Sequence, residues 1–285
     1  MWAWFNGEFI DKDTPVIRLE DRGLTFGDGL FEVIRTLNGR LLFYDAHMRR
    51  MVESAGFFDL RLPLDPVALK PIALELIVRN QVRDGELYLE LTRGADAHRG
   101  HRFPPRDTRP TFFMLAHPLR AIDSANWVRG AAVYSYPDRR HGLCEHKTLN
   151  LLINVLAKNF AFAKDGYDSL MYREDARGRY VTEGGSSSYF CVKDGTVSTP
   201  EVDNILPGIT RRKVIDLART RGLEVVERRL YLAELLEADE IFLASTVSKV
   251  MPVRSVDERT WPAPGPVTRA LVEGFEVLFR RELLD

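Results

Sequence analysis

An α+β fold in two domains is what this sequence predicts, on three observations. Asn-Gly or Asp-Gly divides strand-like runs at Asn6-Gly7, Asn38-Gly39 and Asp194-Gly195. Amphipathic helical stretches alternate with those runs rather than forming a block of their own. The 285 residues, 45% apolar and 28% charged, have globular composition and the length of one large domain or two ordinary ones.

Each element has a local reason. Only Gly, Asn and Asp easily supply the positive φ of a two-residue hairpin, so the three dipeptides mark antiparallel pairs. Asp45 is a candidate N-cap, and Met48, Met51, Val52 and Ala55 recur on one helical face before Gly56. A second helix is expected over Leu149 to Lys164, stopped by Asp165-Gly166. A third is expected from Thr210, with Val214, Leu217 and Ala218 inward and Gly222 beyond its end. A last helix is expected from Pro266 to Arg281. Residues 86–92 and 111–116 read as strands, and Arg93 to Pro110 between them is a long loop of the kind that carries function. Residues 1–118 are therefore expected as a smaller N-terminal domain, 119–126 as a linker and 127–285 as a larger domain.

Lys+Arg number 40 against 41 Asp+Glu, a net charge of -1. That balance removes any global electrostatic case for nucleic acid, whose binding is driven by phosphate neutralisation. Two cysteines, Cys144 and Cys191, make no disulfide framework, and no spacing suggests zinc or another metal. The opening MWAWFNGEFI lacks the basic and apolar regions of a signal peptide, and no run of 18 apolar residues suggests a membrane span. A soluble, cytoplasmic protein is expected.

Three segments could carry chemistry. Lys147 sits just before an apolar helix, where partial desolvation favours a neutral amine able to attack a carbonyl; a lone lysine is more often a surface group. Glu183 follows a strand and precedes the small-residue run Gly184-Gly185-Ser186-Ser187-Ser188, which would let a flat ligand or phosphate approach the backbone. A polar turn is the plainer reading. Leu206-Pro207-Gly208-Ile209-Thr210 opens a helix whose free N–H groups suit a phosphate, with Thr210 as a candidate N-cap; most capped helices bind none. Ser245-Thr246 ends a strand in two hydroxyls that could reach the same anion. Together these are the protein-side parts of a pyridoxal phosphate site.

With those residues in view, the chain resembles the fold-type IV pyridoxal-phosphate enzymes. Six motifs recur in order: Asp21 to Val33, His47-Met48-Arg49-Arg50-Met51, the Lys147 segment, Thr182-Glu183-Gly184, Leu206 to Thr210, and Ser245-Thr246 with Met251-Pro252-Val253. The resemblance implies a two-domain fold with a smaller N-terminal α/β domain and a larger, β-barrel-like C-terminal domain bearing the cofactor lysine. It implies pyridoxal 5'-phosphate held by Lys147 as a Schiff base, with Glu183 on the pyridine nitrogen. Arg50, Ser186, Ser187, Ile209, Thr210, Ser245 and Thr246 would hold the cofactor with them. Within the family the chain looks most like the D-amino-acid transaminases, through Glu32-Val33, the run from Lys147 to Lys158, and the Arg99-Gly100-His101 loop.

A D-amino acid would then give its amino group to a 2-oxo acid such as 2-oxoglutarate or pyruvate in a homodimer. Arg99 and His101, donated across the dimer, would trap the substrate carboxylate, with Arg93 as the other candidate arginine. Phe31 lines the substrate site where a Tyr is usual, and Gly185 and Ser188 alter the usual Glu-Gly-Ser-Ser-Ser-Asn string. The alternatives are an aminodeoxychorismate lyase making 4-aminobenzoate and a branched-chain L-amino-acid or (R)-amine transaminase. From another class comes a non-catalytic ligand-binding protein.

Overall fold

A computed structural model describes residues 1–120 and 122–283. The chain forms two compact units, the first comprising Met1–Arg120 with His146–Asn150 and residues 282–283, the second the rest of the described chain. The short Lys147 segment thus packs with the first unit, and residues 122–124 precede a helix beginning at Ala125.

In the first unit, β1 (Trp2–Phe5), β2 (Glu8–Asp11), α1 (Arg22–Phe26), β3 (Gly29–Leu37), β4 (Arg40–Leu41), α2 (Tyr44–Phe57), α3 (Pro66–Arg79), β5 (Asp84–Thr92) and β6 (Thr111–Pro118) follow in order. The six strands form one sheet in the order β2-β1-β6-β5-β3-β4. Asn6, Asn38 and Asp194 all have the positive φ that the hairpin dipeptides predict, at 46°, 51° and 48°. The core lies on one sheet face, where Leu30, Ile34, Leu87, Leu89, Leu91, Phe112 and Met114 meet Met48, Met51, Leu69 and Leu76.

One helix expectation in this unit needs correction, and one helix was not expected. Asp45 lies in the first turn of α2 and Phe43 is the N-cap, so Asp45 complements the helix dipole without closing the end. α3 had no sequence-based expectation. Its Asp65 accepts from the Ala68 N–H and Pro66 occupies the first turn, a good start signal that Pro71 inside the helix obscures.

The second unit contains α4 (Ala125–Arg129), β7 (Ala131–Pro137), α5 (Leu152–Phe162), β8 (Asp168–Asp175), β9 (Gly178–Gly184), β10 (Ser188–Lys193), β11 (Thr196–Thr199) and α6 (Ile209–Thr220). It continues through β12 (Val225–Glu227), β13 (Leu230–Tyr231), α7 (Leu232–Leu236), β14 (Glu240–Ser245), β15 (Lys249–Val256), β16 (Arg259–Thr260) and α8 (Pro266–Glu282). Its sheet is a curled half-barrel, ordered β12-β11-β10-β14-β15-β7-β8-β9-β13 with β16 beside β15. Tyr189, Leu243, Met251, Val253, Leu170 and Val133 fill its core. α5 begins at Leu152, later than the expected Leu149, because the residues before it are drawn into pairing with β3. α6 starts one residue before Thr210, and Gly208 rather than Thr210 is its N-cap.

Candidate active site

The first unit holds Lys147 by its backbone. Lys147 accepts from the Phe31 N–H at 3.0 Å, the Leu149 N–H donates to Gly29 at 3.1 Å, and Thr148 bridges Leu30. Gly29 is required there: a Cβ would come within 2.5 Å of the Leu91 carbonyl oxygen and 2.7 Å of the Leu149 side chain. On the other flank His146 lies 3.1 Å from the Ser54 hydroxyl and stacks on Phe57 of α2. The segment is clamped on both sides, and the Lys147 Nζ lies 4.1 Å from the centre of the Phe31 ring. A half-buried ammonium above an aromatic face is held by the ring's negative face while its shaft is shielded from water.

Beneath it lies a buried cluster. Arg50 grips Glu32 with two bonds, Nε to Oε1 at 2.7 Å and Nη2 to Oε2 at 2.8 Å, and His47 Nδ1 lies 2.8 Å from Oε2. Burial alone would raise the Glu32 carboxyl, but the Arg50 charge and bonds from His47 and Arg50 outweigh it and hold it at about 2. Burial, opposed by the bond to Glu32, pushes His47 below its ordinary range.

The long loop is braced at its base. Arg22 donates to Asp28 at 2.8 Å and to the Gly100 carbonyl at 2.7 Å. Arg93 donates to Asp28 and to the carbonyls of Phe58 and Asp59. All three Arg93 nitrogens thus make bonds within the protein, and its guanidinium also sits 3.8 Å over Phe103. Arg99 and His101, one on each side of the braced Gly100, are exposed. Arg99 lies over one ring, Phe26, that Arg22 also faces.

In the second unit Glu183 lies buried one residue before the end of β9. Arg140 bridges it to Asp138: one guanidinium nitrogen contacts Glu183, while Nε and Nη2 bind Asp138 at 2.9 and 2.8 Å. Arg173 stands 3.3 Å from the same aspartate. Burial pushes the Glu183 carboxyl up and Arg140 opposes that rise. Glu183 also accepts from the Leu206 N–H at 3.3 Å, which ties it to the entry of α6. At that entry the first N–H groups, including those of Ile209 and Thr210, have no acceptor within the helix.

The serines divide by environment. Ser186 is exposed, whereas Ser187 gives its hydroxyl to Asp168 at 2.7 Å and closes the turn through Gly184. Gly185 leaves room for Lys158, since a Cβ there would come within 2.7 Å of that side chain. Ser245 and Thr246 are half-buried, and Ser245 bonds Ser248 at 2.5 Å.

Residues 29–256 match the profile of amino-transferase class IV. The chain belongs to the class IV aminotransferases. A D-alanine aminotransferase of Bacillus licheniformis is 38% identical to it over 272 residues, 94% of each chain. The branched-chain amino acid aminotransferase of Escherichia coli superposes with a TM-score of 0.90 at 27% identity, over 99% of this chain and 95% of that one. A second branched-chain amino acid aminotransferase, from T.th. and with pyridoxamine 5'-phosphate, gives 0.85 at 28% identity, over 96% and 92%. This aminotransferase therefore has the fold-type IV architecture that its motifs implied.

Sequence reasoning assigned no role to Glu32, His47, Arg22, Asp138 or Arg140. Glu32 and Arg50 lie 18 residues apart and Arg140 and Glu183 lie 43 apart, so spacing carries no signal. The Asp138–Arg140 pair, two residues apart, was the one local clue. Among the described residues, no helix of the aminotransferase is long and apolar enough to cross a membrane.

Proposed function

We propose that this aminotransferase moves the amino group of a D-amino acid to a 2-oxo acid such as pyruvate or 2-oxoglutarate, with pyridoxal 5'-phosphate as cofactor in a cytoplasmic homodimer. The single observation that carries the donor is whole-length similarity to a D-alanine aminotransferase. A structural relative with pyridoxamine 5'-phosphate supports the cofactor.

The donor set fits that cofactor. Lys147 offers an amine for its carbonyl carbon. Glu183 is a buried carboxylate for a protonated ring nitrogen, where a charge-assisted bond is strongest. Arg50, the Ile209 and Thr210 N–H groups, and the Ser186, Ser245 and Thr246 hydroxyls suit a phosphate, whereas the Ser187 O–H is given to Asp168. Bound by these groups, the cofactor supplies an electron sink for charge developing at the substrate α-carbon.

The chain's own residues do the rest. Lys147, freed as an amine, is the base that removes the α-carbon proton and later returns one to the product. Its backbone clamp to β3 fixes where that amine can reach. The Phe31 ring backs the amine, with Nζ 4.1 Å from its centre. Burial raises the Glu183 carboxyl, and Arg140 opposes that rise and so favours the ionised form for the ring nitrogen. Arg99 and His101 take the substrate carboxylate, the planar fork of Arg99 binding it bidentately. Their exposure supports donation to a second copy of the chain. So does α5, which leaves Leu152, Val155 and Leu156 exposed at three- and four-residue spacing.

Borohydride reduction of the cofactor-loaded enzyme, followed by peptide mass mapping, tests the assignment of the lysine. A pyridoxyl group on Lys147 is expected. Its appearance on Lys158, or on no lysine, overturns the reading.

A further inference from the structure

The outer face of the first sheet carries a polar pair that none of these roles uses. β3 and β5 pair with Phe31 opposite Glu90 and Val33 opposite Tyr88, and β6 sets Phe113 opposite Glu90. Strand side chains alternate between faces, so these five share the face away from the buried leucines of β5. The Lys147 Nζ lies over the Phe31 ring on that same face, and Tyr88 stacks on Phe31 at 5.8 Å. Glu90 therefore sits one strand beyond Phe31, on the side away from the lysine segment, and neighbouring strands are about 5 Å apart.

Glu90 has a neutral partner: the Tyr88 hydroxyl donates to its Oε2 at 2.5 Å. Among the described residues no lysine, arginine or histidine is paired with it. Its carboxyl is pushed up by burial, against the Tyr88 bond, which marks it as half-desolvated. An acid in this setting is weakly screened, and like charges brought against it are disfavoured. By contrast Glu32, on the opposite face of β3, is fully compensated by Arg50 and His47.

We propose that Glu90, held by Tyr88, is a specificity-determining residue that selects against a second carboxylate on the substrate. Neutral and basic D-amino acids are then preferred over D-aspartate and D-glutamate, and pyruvate over 2-oxoglutarate as acceptor. The proposal rests on the amino-acid transaminase reading above, and the test separates the two.

In the holoenzyme, kcat/KM is measured for D-alanine and D-glutamate with wild type, E90Q and Y88F. E90Q conserves the size of the side chain and can still accept from Tyr88. The D-glutamate to D-alanine ratio is expected to rise about tenfold in E90Q, a like-charge penalty of ordinary size. In Y88F, which keeps the charge, the ratio is expected to stay low. An unchanged or falling ratio in E90Q overturns the proposal, and so does conversion of E90Q to monomers, which would make Glu90 an interface group.

A second measurement needs neither turnover nor a folded variant. Spectral titration of the wild-type holoenzyme with glutarate and with butyrate is expected to show weaker binding of the dicarboxylate. Equal or tighter glutarate binding overturns the role of Glu90. Failure of wild type to convert any D-amino acid overturns the donor assignment instead, while the titration still decides Glu90.

Discussion

Glu32→Gln is the perturbation whose size is best fixed by the geometry. Glu32 is 1% exposed and receives two bonds from Arg50 and one from His47, at 2.7 to 2.8 Å. Its carboxyl is held at about 2 against an ordinary 4.5. A depression of that size contributes about 3 kcal/mol at neutral pH. Removing one partner of a buried ion pair, which strands the other charge, costs a similar ~3–5 kcal/mol. The sign follows from the depressed value: the stabilisation is complete above about pH 4.5 and is lost as pH falls towards 2. His47, held below its ordinary 6.5 by burial, adds a loss that begins at higher pH, and Asp138, held low by Arg140 against its burial, loses stabilisation in the same acid range, so Glu32 is read from the difference between wild type and variant. The assay is urea unfolding of the cofactor-free protein, followed by tryptophan fluorescence across that pH range, with Trp4 reporting on the first unit's core. Glu32→Gln should unfold at lower urea at pH 7 and should decline less than wild type between pH 4.5 and 2. Equal midpoints at pH 7 would refute the assignment of stabilising strength to this cluster.

Three further substitutions probe the site. Arg99→Ala should raise KM for D-alanine by roughly 10- to 150-fold, the worth of a charged bond, and leave KM for an uncharged amine donor nearly unmoved; equal effects on both would show that another group binds the carboxylate. Arg140→Met removes the charge opposing the burial of Glu183, so the Glu183 carboxyl rises further and the acid limb of the kcat profile moves to higher pH. An unmoved profile would count against Arg140 as a positioning residue. Arg22→Met releases the Gly100 carbonyl, so limited proteolysis between residues 95 and 109 should quicken and KM for D-alanine should rise several-fold; unchanged cleavage would mean that the loop is held elsewhere.

What was legible in the sequence was local. The hairpins could be read because Asn-Gly and Asp-Gly meet a steric demand within two residues, and the positive φ at Asn6, Asn38 and Asp194 is that demand met. Helix interiors were readable from periodicity, but their ends moved: α5 loses its first expected residues to a strand pairing that no local pattern encodes. α3 was obscured by Pro71, which breaks most helices yet is tolerated here between a good cap and a buried face of Leu69, Ala73 and Leu76.

At the site, residue type and order marked Lys147 and Glu183, but the groups that charge and orient their surroundings come from distant strands. Arg93 and Arg99 look alike in sequence. Only burial separates them, since Arg93 is spent on Asp28 and two carbonyls while Arg99 is exposed. Cys144, three residues before Lys147, is free, and burial pushes its thiol up, away from thiolate chemistry.

A single-turnover mixing experiment reaches the central claim most directly. Cofactor-loaded enzyme is mixed with excess D-alanine or L-alanine, with no acceptor present, and the cofactor absorbance and the pyruvate formed are read together. D-alanine should yield one pyruvate per active site with loss of the pyridoxal band, and L-alanine should do so far more slowly. Pyruvate from L-alanine alone, or from neither, would contradict D-amino-acid transamination.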